Sequence, residues 1–276
     1  YGSNDWPAFI FSSFLTGLIG SFFYFSAKNN STEHLELRQA FLLTNSAWLS
    51  IALFGSLPFL FSQINMSFVD ALFESTSGIT TTGATVITNL DNTSHGILIW
   101  RALLQWLGGV GIIVMALAIL PMLSIGGMQL FKTESYETPD KVVPKAATFA
   151  AGISIVYSIL TIAWALMLWK AGMPVFDSIA HAMTTLATGG YSTKSSSLAA
   201  FDSSTIEIII IFGKIVGSLP FVHYLTITKN GWRNLIKDDQ VKWFLTIIII
   251  VTLIISAYLY LQNISYLDAL RLSSFN

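Results

Sequence analysis

Ser67-Phe68-Val69-Asp70-Ala71-Leu72-Phe73-Glu74-Ser75-Thr76-Ser77-Gly78-Ile79-Thr80-Thr81-Thr82-Gly83-Ala84-Thr85 follows directly on a long apolar run. Its first part reads as a short helix, Val69–Ile79, with Asp70 placed to complement the positive end of the helix. The threonine run that follows reads as extended chain. Gly83 supplies backbone freedom that a Cβ would deny. Next to apolar spans, such a helix and strand form a re-entrant loop. A membrane tolerates that only where the loop lines water or is buried in protein.

The stretch recurs. Pro174-Val175-Phe176-Asp177-Ser178-Ile179-Ala180-His181-Ala182 and Ser265-Tyr266-Leu267-Asp268-Ala269-Leu270-Arg271-Leu272-Ser273 share its Asp and its apolar flank. Gly83 lies 13 residues after Asp70, and Gly190 lies 13 residues after Asp177 within Ala187-Thr188-Gly189-Gly190-Tyr191-Ser192. The third copy would reach its glycine beyond Asn276, so the chain is expected to stop inside a third unit. Each full unit reads outward helix, re-entrant helix, Thr/Gly strand, inward helix. The expected organisation is an extra N-terminal helix and loop over 1–38, repeat 1 over 39–131 and a linker over 132–145. Repeat 2 follows over 146–229, a loop over 230–241, and the opening of repeat 3 over 242–276. Repetition of this kind marks an architecture built around an axis.

Composition agrees with a membrane chain. Of 276 residues, 53% are hydrophobic and only 11% charged, where a soluble domain carries about 25% charged. The mean hydropathy is +0.65. A net charge of −1 offers no basic surface for nucleic acid. Without cysteine there is no disulfide framework, thiolate nucleophile or Cys-based metal site, and the four scattered histidines give no metal-ligand spacing. A crossing helix needs about 20 apolar residues. Trp6–Ala27, the run from Gln39, Ala102–Phe131, Ala146–Trp169, Thr205–Thr228 and Trp243–Leu261 give six expected spans. The run from Gln39 must end near Ser62, because Leu57-Pro58 and Gln63-Ile64-Asn65 break it. No basic segment precedes Trp6–Ala27 and no small-residue cleavage site follows it, so it reads as a span and not a leader. Lys28 and Arg38, then Lys132, Lys141 and Lys145, then Lys229, Arg233, Lys237 and Lys242 mark alternate connections. Those basic loops are expected in the cytoplasm, with the N-terminus outside.

The loops have the parts to line an ion path. A half-helix aims its partly negative C-terminus at the membrane centre, which favours a cation. Extended chain can aim successive carbonyls at an axis and replace an ion's water shell. No carboxylate lies in either Thr/Gly run, so the cage suits a large monovalent cation better than Ca²⁺. The candidate ion-binding residues are Thr81, Thr82, Gly83, Thr188, Gly189 and Gly190. Arg101 either snorkels to the interface beside Trp100 or forms an ion pair with Glu74 or Asp70 that braces the re-entrant helix. Lys214 either faces a water-filled vestibule and repels cations or pairs with Glu207 or a carbonyl. Both are candidate pore-tuning residues. His181, aligned with Glu74, reads as a hydrogen-bonded packing residue. Gly108-Gly109-Val110-Gly111 reads as close helix packing, since no strand precedes it as a dinucleotide loop requires. Lys132–Lys145 is a solvated loop or a docking face, and Asp238-Asp239 a solvated turn. An enzyme is not expected, because the spans carry no Ser/His/Asp set, metal cluster or paired carboxylates.

Four motifs carry a resemblance: Ser75–Thr85 (STSGITTTGAT), Trp100–Val114 (WRALLQWLGGVGIIV), Gly126–Ser135 (GGMQLFKTES) and Thr185–Ser192 (TLATGGYS). With these, nearly the whole chain resembles the pore subunit of the bacterial Trk/Ktr/HKT superfamily of potassium transporters, most closely the Trk type. The resemblance implies an all-α polytopic inner-membrane protein in which four helix–pore loop–helix repeats surround one pseudo-fourfold, potassium-channel-like pore. It implies one filter glycine per repeat, here Gly83 and Gly190, and K⁺ as the transported ion with no cofactor. It further implies a homodimer and a cytoplasmic nucleotide-binding regulatory ring of RCK type, TrkA-like. The chain departs from the pattern in length, with two full repeats and the start of a third. Cation-coupled symport of K⁺ with Na⁺ or H⁺ through the same loops is the alternative. Repeats of one direction and the lack of a mid-span acid disfavour it.

Overall fold

The computed structural model describes residues 5–28, 37–123, 142–221, 223–225 and 233–275, and among them the regular elements are helices. In chain order these are α1 (Trp6–Ala27), α2 (Leu37–Gly55), α3 (Leu57–Phe61), α4 (Phe68–Ile79), α5 (His95–Leu123), α6 (Val142–Lys170), α7 (Val175–Leu186), α8 (Ser204–Ser218), α9 (Arg233–Lys237), α10 (Asp239–Leu261) and α11 (Tyr266–Phe275). Short 3₁₀ turns at Leu90–Asn92 and Ser197–Phe201 precede α5 and α8. The motif at Gly126–Ser135 and the linker at 132–141 lie outside the described residues.

Among the described residues, Trp6–Ala27, Phe41–Phe61, Ala150–Lys170 and Asp239–Leu261 are long and apolar enough to cross a membrane. Helix α5 has 29 residues; at 1.5 Å each it runs about 43 Å, more than the roughly 30 Å of hydrocarbon. The expected span Thr205–Thr228 is not one helix. Helix α8 has 15 residues and ends at Leu219, whose backbone is extended. Pro220 follows, and a proline drives the residue before it out of helical geometry. The break expected after Gln39 is present: α2 stops at Gly55, Pro58 starts the short α3, and Ser62 is extended.

The three related segments are built alike. Asn65, Gly172 and Asn263 adopt left-handed backbone, with φ of 56°, 101° and 66°, each three residues before the first residue of α4, α7 or α11. The Ser67 hydroxyl accepts from the Asp70 amide at 3.2 Å and donates to the Asp70 carboxylate at 2.7 Å. Ser265 and Asp268 repeat both bonds at 3.3 and 2.7 Å. In the second copy Pro174 takes the serine's place, and Asp177 instead accepts from the Thr193 hydroxyl at 2.6 Å.

Glycines let α5 and α8 reach the ends of α4 and α7. A Cβ on Gly108 would collide with the Ile79 carbonyl, and one on Gly217 would stand 2.6 Å from the Leu186 carbonyl. Gly109 packs where a Cβ would be 3.1 Å from Ala187 Cα. The Gly108-Gly109 pair is therefore a packing surface within a helix. Phe59, Ala71, Ile97 and Leu104 seal the first unit, and Ile153, Tyr157, Leu186 and Phe221 the second. Outward, α1 and α10 expose Phe14, Phe22, Phe23, Ile249 and Ile254, a surface suited to lipid. Helix α1 is anchored by edge-on contacts of Phe9 with Trp100 and Phe11 with Phe61.

Candidate functional site

Helices α4 and α7 close in the same way. After α4, Thr81 N donates to Gly78 O and Thr82 N to Ser77 O, each at 3.0 Å. After α7, Thr188 N donates to Thr185 O at 3.0 Å and Gly189 N to Thr184 O at 2.9 Å. This paired pattern ends a helix through one left-handed residue, a place that usually falls to glycine. Here it falls to Thr81 (φ 57°) and Thr188 (φ 53°). For a β-branched residue that is a strained backbone, costing on the order of 1–3 kcal/mol. Two residues later Gly83 (φ 82°) and Gly190 (φ 80°) turn the chain again, in a region glycine enters freely. The extended Thr/Gly strand expected from sequence is not formed: left-handed Thr81 and Gly83, and likewise Thr188 and Gly190, turn the chain twice, and neither segment has a ladder partner among the described residues.

Hydroxyls brace these loops from within. Ser77 Oγ donates to Ala84 O at 2.6 Å, and the Thr80 and Thr82 hydroxyls pair at 2.8 Å. A Cβ on Gly83 would run into the Gly189 carbonyl oxygen, whereas one on Gly190 would meet nothing within 4 Å among the described residues. The first glycine is thus pressed against the second loop. Thr82, Thr188 and Gly190 are exposed, Thr81 and Gly83 half-buried, and Gly189 buried.

Behind the loops lies a buried ionic network. Arg101 Nε meets Glu74 Oε1 at 2.6 Å, with both side chains essentially excluded from solvent. This corrects the snorkelling reading of Arg101: the ion pair with Glu74 is the one present, and Asp70 is engaged with Ser67. Burying a guanidinium demands a paired, hydrogen-bonded partner, and Glu74 also accepts from the Thr85 hydroxyl and from Val86 N at 3.0 Å. Arg101 Nη1 donates to Ser192 O at 2.9 Å, and its guanidinium lies 4.0 Å from the centre of the Tyr191 ring. Tyr191 donates its hydroxyl to Glu74 O at 2.9 Å, and its amide reaches Gln105 Oε1 at 3.1 Å. His181 is buried between Asp177 O at 2.8 Å and Ser192 Oγ at 3.1 Å, as expected of a packing residue. It holds Ser192 as Glu74 holds Thr85.

Lys214 does not stand free in a vestibule. Its ammonium donates to Phe275 O at 2.9 Å and lies 4.1 Å from the centre of that ring. Of its expected partners the carbonyl is the one used, while Glu207 faces Arg271 at 3.4 Å. Counted from the packing glycines Gly108 and Gly217, Lys214 occupies the position of Gln105. Gln105 reaches from α5 to the loop after α7, and Lys214 from α8 to α11. Tyr191, Gln105 and Thr85 were not singled out from sequence. The available signal was a glutamine one helical turn after an arginine on an otherwise apolar helix, a polar pair that must find partners when buried. Among the described residues no group of three or more His, Asp or Glu side chains is placed to hold a metal. The oxygens on offer at the loops are carbonyls and hydroxyls.

Past the loops, Leu90 N donates to Ser195 Oγ at 3.1 Å and Ser195 N to Asp91 Oδ2 at 3.4 Å. The hydrogen bond from Ser195, with Lys194 nearby, holds the Asp91 carboxyl below the ordinary carboxylate range against weak desolvation.

Residues 6–269 match the family described as TrkH, cation transport protein. The chain belongs to that family. The Trk system potassium uptake protein TrkH of Escherichia coli (strain K12) is 40% identical over 263 residues, which is 92% of this chain and 54% of that protein. The Trk system potassium uptake protein TrkI of Halomonas elongata is 37% identical over 239 residues, 86% of this chain and 49% of that protein. The crystal structure of the potassium transporter TrkH from Vibrio parahaemolyticus aligns over 100% of this chain and 57% of its own length, at a TM-score of 0.88 and 35% identity. This chain thus spans about half the length of the relatives it matches, within a helical membrane transporter fold.

Proposed function

We propose that this chain contributes two loops of a potassium-selective path for uptake, with Gly83 and Gly190 as filter glycines. Backbone carbonyls of Thr81, Thr82, Thr188 and Gly189 would act as ion ligands beside them. The observation that carries this is the duplicated backbone: left-handed Thr81 and Thr188, then left-handed Gly83 and Gly190, at the same register after two re-entrant helices. Carbonyl oxygens in such segments can replace the hydration shell of a large monovalent cation. An inside-negative potential would drive entry with about 2.3 kcal/mol per charge per 100 mV. The basic connections would lie in the cytoplasm, and the repeats would divide near 39–131 and 146–229. A dimer and a nucleotide-binding cytoplasmic ring belong to the same proposal.

The test is ⁸⁶Rb⁺ uptake into liposomes by a transporter of the relatives' full length carrying this chain. Uptake should follow an imposed inside-negative potential and resist competing Na⁺. Gly83→Ser should lower the K⁺/Na⁺ permeability ratio about tenfold, equivalent to about 1.4 kcal/mol, because its Cβ displaces the Gly189 carbonyl. An unchanged ratio in folded Gly83→Ser removes the filter role.

A further inference from the structure

Arg101 and Gln105 stand one turn apart on the same face of α5, with 1% and 0% exposure. Both side chains are buried, and together they reach both loops. Arg101 Nε holds Glu74, which in turn holds the Thr85 hydroxyl and Val86 N, the chain just beyond Gly83. Arg101 Nη1 holds Ser192 O, just beyond Gly190. Gln105 Oε1 accepts from Tyr191 N, the residue next to Gly190. The Gln105 amide fills the space beside Gly189, and its Nε2 lies 3.6 Å from the place of a Cβ on Gly83. Tyr191 closes the circuit: its ring lies under the guanidinium, and its hydroxyl donates to Glu74 O, with Ala84 O at 3.2 Å.

The spacing of the two glycine segments is therefore carried by side chains of α5 and not only by contacts within the loops. A carbonyl cage discriminates through its size or through the number and field of its oxygens, and both follow from how far apart the segments are held. We infer that Arg101 and Gln105 are specificity-determining positioning residues, a brace that sets the separation of the two filter segments and thereby K⁺/Na⁺ discrimination. The inference rests on the filter reading of Gly83 and Gly190. It is particular to this junction. Counted from Gly108 and Gly217, the α8 counterparts of Arg101 and Gln105 are Ile210 and Lys214, so the guanidinium brace is not repeated there.

The guanidinium fork is what lets one side chain bind Glu74 and Ser192 O in fixed directions; an ammonium is a point charge without that fork. The experiment measures reversal potentials under K⁺/Na⁺ gradients, with separate K⁺ and Na⁺ fluxes, in the full-length transporter carrying this chain. The variants are Arg101→Lys, Gln105→Met and Tyr191→Phe. The expected result is a K⁺/Na⁺ permeability ratio lowered at least fivefold in Arg101→Lys and Gln105→Met, with Na⁺ flux rising. Tyr191→Phe, which loses only the hydroxyl bonds, should move the ratio in the same direction by less. A merely structural role lowers both fluxes together and leaves their ratio unchanged, and that outcome overturns the inference. Should Arg101→Lys fail to assemble, Gln105→Met and Tyr191→Phe decide the matter alone. An unchanged ratio in these variants alongside a shifted one in Gly83→Ser overturns the brace and spares the filter. An unchanged ratio in Gly83→Ser as well overturns both.

Discussion

At the scale of single residues, the buried pair Arg101–Glu74 is the most exposed to mutation. Arg101 has at least three polar or ring contacts, and Glu74 is wholly buried. Removing one member of a buried pair leaves the other charge without compensation, at a cost of about 3–5 kcal/mol. Arg101→Ala should therefore lower the thermal midpoint of the detergent-solubilised protein sharply. Glu74→Gln, which keeps an acceptor for Arg101 and for Thr85, should lower it less. Equal midpoints for Arg101→Ala and the parent would mean that the pair contributes nothing to the folded state. The pair was legible only as one of two options, because sequence gives the depth of an arginine along a span but not which way it points. Lys214 shows the same limit: its depth was readable, but its partner sits on α11, a helix more than fifty residues along the chain.

At the scale of elements, the short helices and the glycines Gly83 and Gly190 were legible because composition and spacing both bear on them. The extent of α8 was not. Leu219-Pro220 carries the same signal as Leu57-Pro58, and apolar length outweighed it, although a proline removes a backbone donor whatever surrounds it. The contact of α5 with the tip of α4, and of α8 with the tip of α7, is the junction that glycine makes possible. Gly108→Leu should therefore separate α5 from the end of α4 and destabilise the chain by several kcal/mol, since the obstacle is the Ile79 carbonyl and not a movable side chain. Thermal midpoints of Gly108→Leu and of Gly111→Leu would check this. Among the described residues a Cβ on Gly111 would approach only Trp48, at 3.8 Å, so the second substitution should be the milder one. The connection between the two loops has a pH dependence of definite sign. Asp91 titrates below its ordinary value when folded. Its contribution to the Asp91–Ser195 contact is thus complete above the unfolded carboxylate value, near 3.8, and is lost as pH falls through the lower folded one. Amide exchange at Ser195 should stay slow from neutral pH down to that range, after allowance for the intrinsic pH dependence of exchange, and then quicken. Exchange that quickens at higher pH would assign the protection to another group.

At the scale of the whole molecule, the membrane class and the repeated architecture follow from apolar length and from spacing, both properties a chain carries in one dimension. Sidedness is read from charge alone. Lys237, Arg233 and Lys242 flank α9 and the start of α10, while the connection after the second loop carries Lys194 among serines. Basic residues beside spans are retained on the cytoplasmic face, so the α9 region should be inside and the segment around Ser196 outside. The sequence contains no cysteine, which makes single-cysteine labelling clean. Ile236 is 68% exposed, and Ile236→Cys leaves every flanking charge in place; Ser196 is likewise exposed. In intact cells a membrane-impermeant maleimide should label Ser196→Cys and spare Ile236→Cys, and in inside-out vesicles the pattern should reverse. The opposite pattern inverts the topology and would turn the loops that carry Gly83 and Gly190 toward the cytoplasm. With the proposed re-entrant loops, whose two ends lie on one face, such an inversion would also place the braced side of the path, Arg101 with Glu74 and Tyr191, at the inner mouth, and an ion entering from outside would then meet the C-terminal ends of α5 and α8 before the glycines.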